Sequence, residues 1–156
     1  MGGYGGLSGK LRRQKDGCYY DSQKDKVTEK SSIMAAEYYL KMGMSVVFLH
    51  EKKNDGEYRP DLLVDYKFLV EVKALTSLSP SGISKRIIHA SEQIESENSR
   101  RPNDKQLPGK IVIISLHENF EAGFKAVYEG YQEAKRKNKV HFQVEFWFNE
   151  EIHVLE

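Results

Sequence analysis

The spacing of apolar residues along the chain changes several times, and each change predicts an element. Across Thr28–Met42, apolar side chains recur at the period of an amphipathic helix. The predicted buried stripe of this helix consists of Ile33, Ala36 and Leu40. Gly43 predicts the end of the helix, because glycine readily adopts the left-handed backbone of a helix stop. The β-branched and aromatic run at Ser45–Leu49 then predicts a strand.

A tight hairpin is predicted next. Two apolar, β-prone runs begin at Leu62 and Phe68, and a short polar segment centred on Tyr66 separates them. A turn centred on Tyr66 pairs Leu62 with Val70, and the rest of the register follows from that pair.

The remaining pattern predicts two more helices and three more strands. The helix at Ile83–Glu97 has a buried stripe of Ile83, Ile87, Ala90 and Ile94. The other predicted elements are a buried central strand at Lys110–Ser115, a helix at Phe120–Lys137, an alternating strand at Phe142–Phe148 and a short strand at Ile152–Leu155. In the alternating strand, Phe142, Val144, Phe146 and Phe148 are predicted to face inward, and Gln143, Glu145 and Trp147 to lie on the other face.

The resulting order is α-β-β-β-α-β followed by α-β-β, which predicts an α/β domain with a mixed sheet flanked by helices. We assign this single domain to residues 28–156. Residues 1–27 are interpreted as a flexible, glycine-rich linker and a polar N-terminal arm.

Composition narrows the class of protein. The chain has 156 residues, of which 39% are hydrophobic and 30% are charged, with a net charge of +1, as in a soluble globular domain without an overall basic field. Basic residues occur in short runs, which fit either a solvated surface or phosphate contacts. The single cysteine, Cys18, excludes a disulfide within the chain. No apolar stretch reaches the ~20 residues of a membrane span.

Candidate chemistry is concentrated at the start of the hairpin strands. The predicted register places Asp61 opposite Glu71, with Cβ atoms about 4.5–5.5 Å apart. Lys73 lies two residues after Glu71 and therefore shares its face of the strand. Two carboxylates at this separation repel each other unless a cation lies between them. A divalent metal bound by oxygen ligands is the best candidate.

Pro60-Asp61 followed by Glu71-Val72-Lys73 resembles the signature of the PD-(D/E)XK nuclease superfamily. The resemblance extends over about Thr28 to Leu116, because a helix precedes the hairpin and a helix and strand follow it. It implies a restriction-endonuclease-like core and metal-dependent hydrolysis of phosphodiester bonds. Asp61, Glu71 and the Val72 carbonyl would bind Mg²⁺ or Mn²⁺. Lys73 would orient the attacking water or stabilise the charged phosphate.

The resemblance also implies a glutamate from the first helix. Glu37 lies beside the apolar stripe and is the preferred candidate. Glu29 is the alternative, about two turns earlier and roughly 80° away around the axis. Glu29 also fits a simpler role as a first-turn acid that interacts with the helix dipole.

On the second helix, Lys85 or Arg86, His89 and Gln93 recur at helical spacing. Lys85, Arg86 and Gln93 are candidate contacts to nucleic acid, as in similar nucleases. His89 fits either an acid–base role or a structural role. The aromatic residues around Trp147 are interpreted as core rather than as a base-stacking surface.

The motif does not separate DNA from RNA substrates. A glycine-rich lead-in before a compact domain resembles the C-terminal toxin domains of contact-dependent growth inhibition and other polymorphic toxins, several of which cleave tRNA. That resemblance implies an immunity protein and action in the cytoplasm, after delivery within a larger secreted protein. The alternatives are a resolvase, repair or restriction-type endonuclease, and a non-catalytic nucleic-acid-binding module on the same fold.

Overall fold

The computed structural model of the protein describes residues 18–49 and 59–156, with the backbone alone for residues 18–28. The expectation for the glycine-rich linker lies outside the described residues.

The described strands form one mixed sheet in which spatial order follows chain order. The strands are β1 (Val46–Phe48), β2 (Leu62–Val64), β3 (Phe68–Leu75), β4 (Gly109–Ser115), β5 (Gln143–Phe148) and β6 (Glu151–Val154). The first three pair antiparallel, β3, β4 and β5 pair parallel, and β6 returns antiparallel to β5. The predicted α/β class and mixed sheet are therefore confirmed.

The helices are α1 (Cys18–Lys41), α2 (Pro80–Ser99) and α3 (Phe120–Arg136), and a short 3₁₀ turn spans Asn103–Lys105. Ser79 caps α2 through its hydroxyl, which accepts the Gly82 N–H at 3.3 Å. Asn119 caps α3 through its side-chain Oδ1, which accepts the Ala122 N–H at 3.0 Å. Within the described part of the chain, no helix is both long and apolar enough to span a bilayer.

The predicted buried stripe of α1 is largely wrong. Ile33 and Leu40 are 43% and 55% exposed. The buried face consists of Ser31, Ser32, Ala35, Ala36 and Tyr39. Small side chains at four of these positions let the helix backbone lie close to the sheet, so the larger apolar residues turn outward. The helix also begins ten residues before the predicted Thr28, at Cys18.

The alternation predicted for β5 is also incomplete. Val144 and Phe146 are buried as expected, and Trp147 is buried on the other face, which confirms its interpretation as core. Glu145, on the same face as Trp147, is buried as well. β5 lies between β4 and β6 and is covered on both faces, as inner strands of layered α/β folds are.

Two apolar clusters lie on opposite faces of the sheet. On one face, α1 packs against side chains that include Leu62, Val70 and Val72. On the other, α2 and α3 cover side chains that include Leu63 and Leu69. Because side chains alternate along a strand, the β3 residues after Leu69 that share its face are Glu71, Lys73 and Leu75. The candidate site therefore belongs to the α2 side.

The contact between α2 and α3 depends on Gly130. A Cβ at this position would lie 2.8 Å from both Ile83 Cγ2 and the Pro80 carbonyl oxygen.

We predict that Gly130→Ala lowers the free energy of unfolding by about 1–3 kcal/mol, since a backbone carbonyl cannot move aside easily. The matched control is Gly82→Ala, whose new Cβ would meet Ser79 Oγ at an ordinary 3.6 Å. Urea denaturation measures both, and equal stabilities would contradict the packing assignment.

Candidate active site

The hairpin turn fixes the register of the site. Asp65 and Tyr66 adopt positive φ angles of 56° and 53°, and the Lys67 N–H donates to the Val64 carbonyl at 2.9 Å. Asp65 tolerates this backbone and also accepts the Ser45 N–H, 3.2 Å away. Leu62 pairs with Val70, which confirms the predicted register.

The β2–β3 ladder ends at Leu62. The next residue whose backbone groups would be directed at β3 is Pro60, and proline has no N–H to donate. The Asp61 side chain occupies the vacated place. Its Oδ2 accepts the Val72 N–H at 2.9 Å, while Glu71 Oε1 accepts the Asp61 N–H at 3.0 Å. These crossed bonds hold the two carboxyl groups side by side at the sheet edge.

Lys73 completes the group on the same strand face. Its Nζ lies 3.1 Å from Glu71 Oε2 and donates to Gln93 Oε1 at 3.0 Å. Gln93 in turn donates from Nε2 to the Arg59 carbonyl at 3.1 Å. One side chain of α2 thus connects the candidate catalytic lysine with the segment that leads into Asp61.

Glu71 is the most perturbed acid of the site. Burial is the largest cause that raises the pKa of Glu71, and the charge of Asp61 and a hydrogen bond with Asp61 raise it further. The charge of Lys73 and its hydrogen bond lower the pKa, but by less than the other causes raise it. The resulting pKa of Glu71 is about 8. Its side chain is only 4% exposed, against 15% for Lys73. Near neutral pH, Glu71 therefore retains its proton.

The α2 face next to Lys73 is basic. Arg86 Nη1 donates to the Ala74 carbonyl at 2.6 Å. This carbonyl lies on the edge of β3 that extends beyond its pairing with β2. Burial lowers the pKa of Arg86, and the charge of Glu71 partly opposes this. Burial and the charge of Lys73 lower the pKa of His89. Lys85 is exposed. Of the predicted nucleic-acid contacts, Gln93 and Arg86 are close to the acid pair, and Lys85 faces solvent.

The helix glutamates are not brought to this group. α1 covers the opposite face of the sheet, and both Glu29 and Glu37 are exposed on it. Glu37 lines a surface groove with Tyr38 and Trp147. The structure does not bring Glu37, the preferred helix glutamate, to Asp61, because the Asp61 side chain and α1 lie on different sides of the sheet.

Two residues that hold the site in place were not predicted from the sequence. Arg59 pairs with Glu97 through two nitrogens, Nε at 2.9 Å and Nη2 at 3.2 Å. Glu97 lies one helical turn after Gln93 and is 5% exposed. Two features of the sequence point to these residues: Glu97 follows Gln93 by one helical turn, and Arg59 directly precedes Pro60-Asp61. Neither feature shows that the two residues pair, because they are 38 residues apart in the chain.

The donor set suits a hard divalent cation. Asp61 and Glu71 provide carboxylate oxygens. The Val72 carbonyl points to the same edge as its N–H, because a paired strand residue directs both groups to one neighbour. Among the side chains that the structure describes, in residues 29–49 and 59–156, no group of three His, Cys, Asp or Glu could hold a metal. Water would have to complete the coordination, as is usual for Mg²⁺.

Comparisons with known proteins give no relative: no family model, curated protein or solved structure matches the chain.

The raised pKa of Glu71 makes stability depend on pH. Unfolded Glu71 ionises near 4.5, but the folded residue keeps its proton to about 8. The folded state therefore binds more protons between these values, and stability falls as pH rises through this window. We predict that the metal-free wild type loses stability from pH 5 to pH 8 relative to Glu71→Gln, which does not titrate. Urea denaturation in chelator measures this, and parallel pH profiles would contradict it.

Proposed function

We propose that the chain is a metal-dependent nuclease that hydrolyses phosphodiester bonds in nucleic acid, with a core of the PD-(D/E)XK type. One observation carries the proposal: a buried glutamate and an aspartate are held side by side at a strand edge, with a lysine ammonium 3.1 Å from the glutamate. Burying like charges together is costly, and a bound cation offsets that cost.

The topology supports the same proposal. A helix, an antiparallel β1–β2–β3 meander, a second helix and a parallel β4 follow one another. The motif residues fall on β3 and at the entrance to β2. This is the order and placement that the resemblance to the superfamily implies.

Mg²⁺ or Mn²⁺, when bound, would neutralise charge on the phosphoryl oxygens and supply an activated water. The protein's part is to bind and to orient. Asp61, Glu71 and the Val72 carbonyl would hold the cation, and Glu71 would release its proton as the cation enters, because ligating carboxylates must be ionised. Metal affinity should therefore rise with pH up to about the pKa of Glu71, which is about 8.

Lys73 is the candidate catalytic charge. An ammonium has three N–H donors, and contacts to Glu71 and Gln93 use two of them. The third can donate to a phosphoryl oxygen or to the attacking water. Because both partners are fixed, the charge is in position before the substrate arrives, which is how electrostatic stabilisation becomes effective.

Arg86 lies on the α2 face next to this group, and Arg86 and Lys85 would attract the substrate backbone. Arg86 is anchored by the Ala74 carbonyl, so its guanidinium is held near the site. Lys85 is exposed and suits a looser phosphate contact.

A binding-only module is less well supported. Two carboxyl groups beside a phosphate contact repel the phosphate and weaken binding, unless a cation between them takes part. Resolvase, repair, restriction and toxin nucleases would all use the same residues, so the substrate separates them.

We predict cleavage of at least one nucleic acid in Mg²⁺ or Mn²⁺ and its loss in excess chelator. Separate incubations with duplex DNA, single-stranded DNA, total RNA and tRNA, resolved by gel, identify the substrate. Asp61→Asn retains an oxygen to accept the Val72 N–H but removes the charge that binds the cation. It should therefore stay folded and lose most of the activity. Full cleavage by Asp61→Asn, or cleavage that persists in chelator, would refute the metal mechanism.

Lys73→Ala separates catalysis from metal binding. We expect turnover to fall by about 10²-fold or more, since a fixed charge at the reacting phosphate is removed. Calorimetric affinity for Mn²⁺ should change much less, because Lys73 is not a ligand. A large drop in metal affinity with normal turnover at saturating metal would reverse this assignment.

A further inference from the structure

We propose that a groove between α1 and the β5–β6 hairpin, the α1 groove, binds a short amphipathic helix of a partner protein. That helix carries lysine or arginine beside its apolar side chains. The α1 groove lies on the face of the sheet opposite to Glu71 and Lys73, because it is lined by the apolar cluster beneath α1. The inference therefore goes beyond the proposed function and does not depend on it.

The sheet is incompletely covered on the α1 side. α1 packs mainly against β1, β2 and β3, and it reaches β5 where Tyr38 meets Trp147 edge-on, with ring centroids 5.0 Å apart. Ile152 and Val154 of β6 pair with β5 and face the same side as Trp147. Val154 is 48% exposed. Two helices cover the other face, whereas α1 is the single helix that the described residues place on this one, so a further helix would complete the layer.

The lining of the α1 groove is apolar and elongated. Met34 and Tyr38 on α1 and Met42 directly after it recur every four residues, which makes a stripe about 12 Å long. These side chains are 38%, 37% and 58% exposed, and they line the groove together with Trp147 and Ile152. The aromatic pair provides a rigid wall, and methionine side chains adapt to the residues that they meet. A stripe of about two turns fits the apolar face of a helix that lies alongside α1.

The rim of the α1 groove is acidic. Glu37, Glu150 and Glu151 line it, and Lys41 is the single cation among the described lining residues, which gives a formal charge of −2. Within residues 29–49 and 59–156, Glu37 and Glu150 form no salt bridge. The Glu151 side chain is 75% exposed and has His153 Nε2 at 3.4 Å from its Oε1. Since the whole chain has a net charge of +1, the negative charge is a local property of this groove.

This charge selects the occupant. Basic side chains that flank the apolar face of a partner helix would meet the rim carboxylates, whereas nucleic acid and an acidic helix would be repelled. Rim charges contribute mainly to specificity and to the rate of association. The apolar stripe supplies the larger part of the affinity, because its exposed area is removed from water on binding.

Trp147 is the one tryptophan of the chain and lines the groove, so its fluorescence reports occupancy directly. The probe is an amphipathic peptide of leucine and lysine, about 18 residues long so that it can form a helix. One control peptide has glutamate in place of lysine, and a second has the same composition in shuffled order. We expect the emission of Trp147 to change saturably with the patterned leucine–lysine peptide and to change little with either control.

The contribution of the rim is tested with Glu37→Gln/Glu150→Gln in the full chain. We expect about threefold to tenfold weaker peptide binding at low salt, and a difference that disappears at high salt, as for exposed charge pairs. The matched control is Asp104→Asn/Glu129→Gln, which removes two exposed carboxylates outside the groove. It should bind the peptide like the wild type.

The contribution of the apolar stripe is tested with Met34→Gln/Met42→Gln. We expect about tenfold weaker binding or more at every salt concentration, because apolar area is lost from the contact. The matched control, Ile33→Gln/Leu40→Gln, changes two apolar residues of α1 that are 43% and 55% exposed. They lie about 140–160° around the helix axis from Tyr38, away from the groove. Urea denaturation establishes that each variant is folded.

Peptide binding that both groove variants weaken and both control variants retain supports the proposal. Equal affinities of groove and control variants, or equal binding of the leucine–glutamate peptide, would overturn it. A dimer in sedimentation that Met34→Gln/Met42→Gln dissociates would instead assign the groove to a second copy. A change in Trp147 emission caused by Arg12→Gln/Arg13→Gln without peptide would assign it to the chain's own basic N-terminal segment. Cleavage of nucleic acid tests the nuclease separately, since none of these variants changes Asp61, Glu71 or Lys73.

Discussion

The site depends on the burial of one carboxyl group, that of Glu71, beside a second. In water two carboxylates would separate, but the strand pairing fixes them, because Pro60 ends the ladder and Asp61 turns its side chain onto the Val72 N–H. The acid pair can lower its repulsion by holding a proton or by binding a cation. The raised pKa of Glu71 reflects the first response, and the proposed metal site reflects the second.

The surrounding structure prevents the pair from relaxing in any other way. Glu71 is covered by α2, which is held against the sheet by its buried isoleucines and against α3 at Gly130. Gln93 and Glu97 on the same helix fix Lys73 and Arg59. A single helix therefore positions the lysine and the segment before Asp61. A change in its packing would alter both at once.

The sequence predicts those parts of this arrangement that depend on local rules. The turn at Tyr66 and the two-residue period of strands were enough to pair Leu62 with Val70 and to place Glu71 and Lys73 on one face. The apolar stripe of α2 was predicted correctly because large residues fill it. The buried face of α1 was not predicted correctly, because small residues such as Ala35 and Ala36 form it. The Arg59–Glu97 pair was missed because contacts between distant segments leave no periodic signal.

The net charge of Asp61, Glu71 and Lys73 depends on the proton of Glu71 and on a bound cation. With its proton, Glu71 leaves Asp61 and Lys73 to cancel each other, and the group is neutral. When Glu71 ionises, the three side chains sum to −1, and a divalent cation brings the total to +1. In the proposed mechanism, a bound metal would thus convert a neutral group into one that attracts a phosphodiester. The reacting phosphate would become attractive to the site in this mechanism only once both carboxylates are ionised and a cation lies between them.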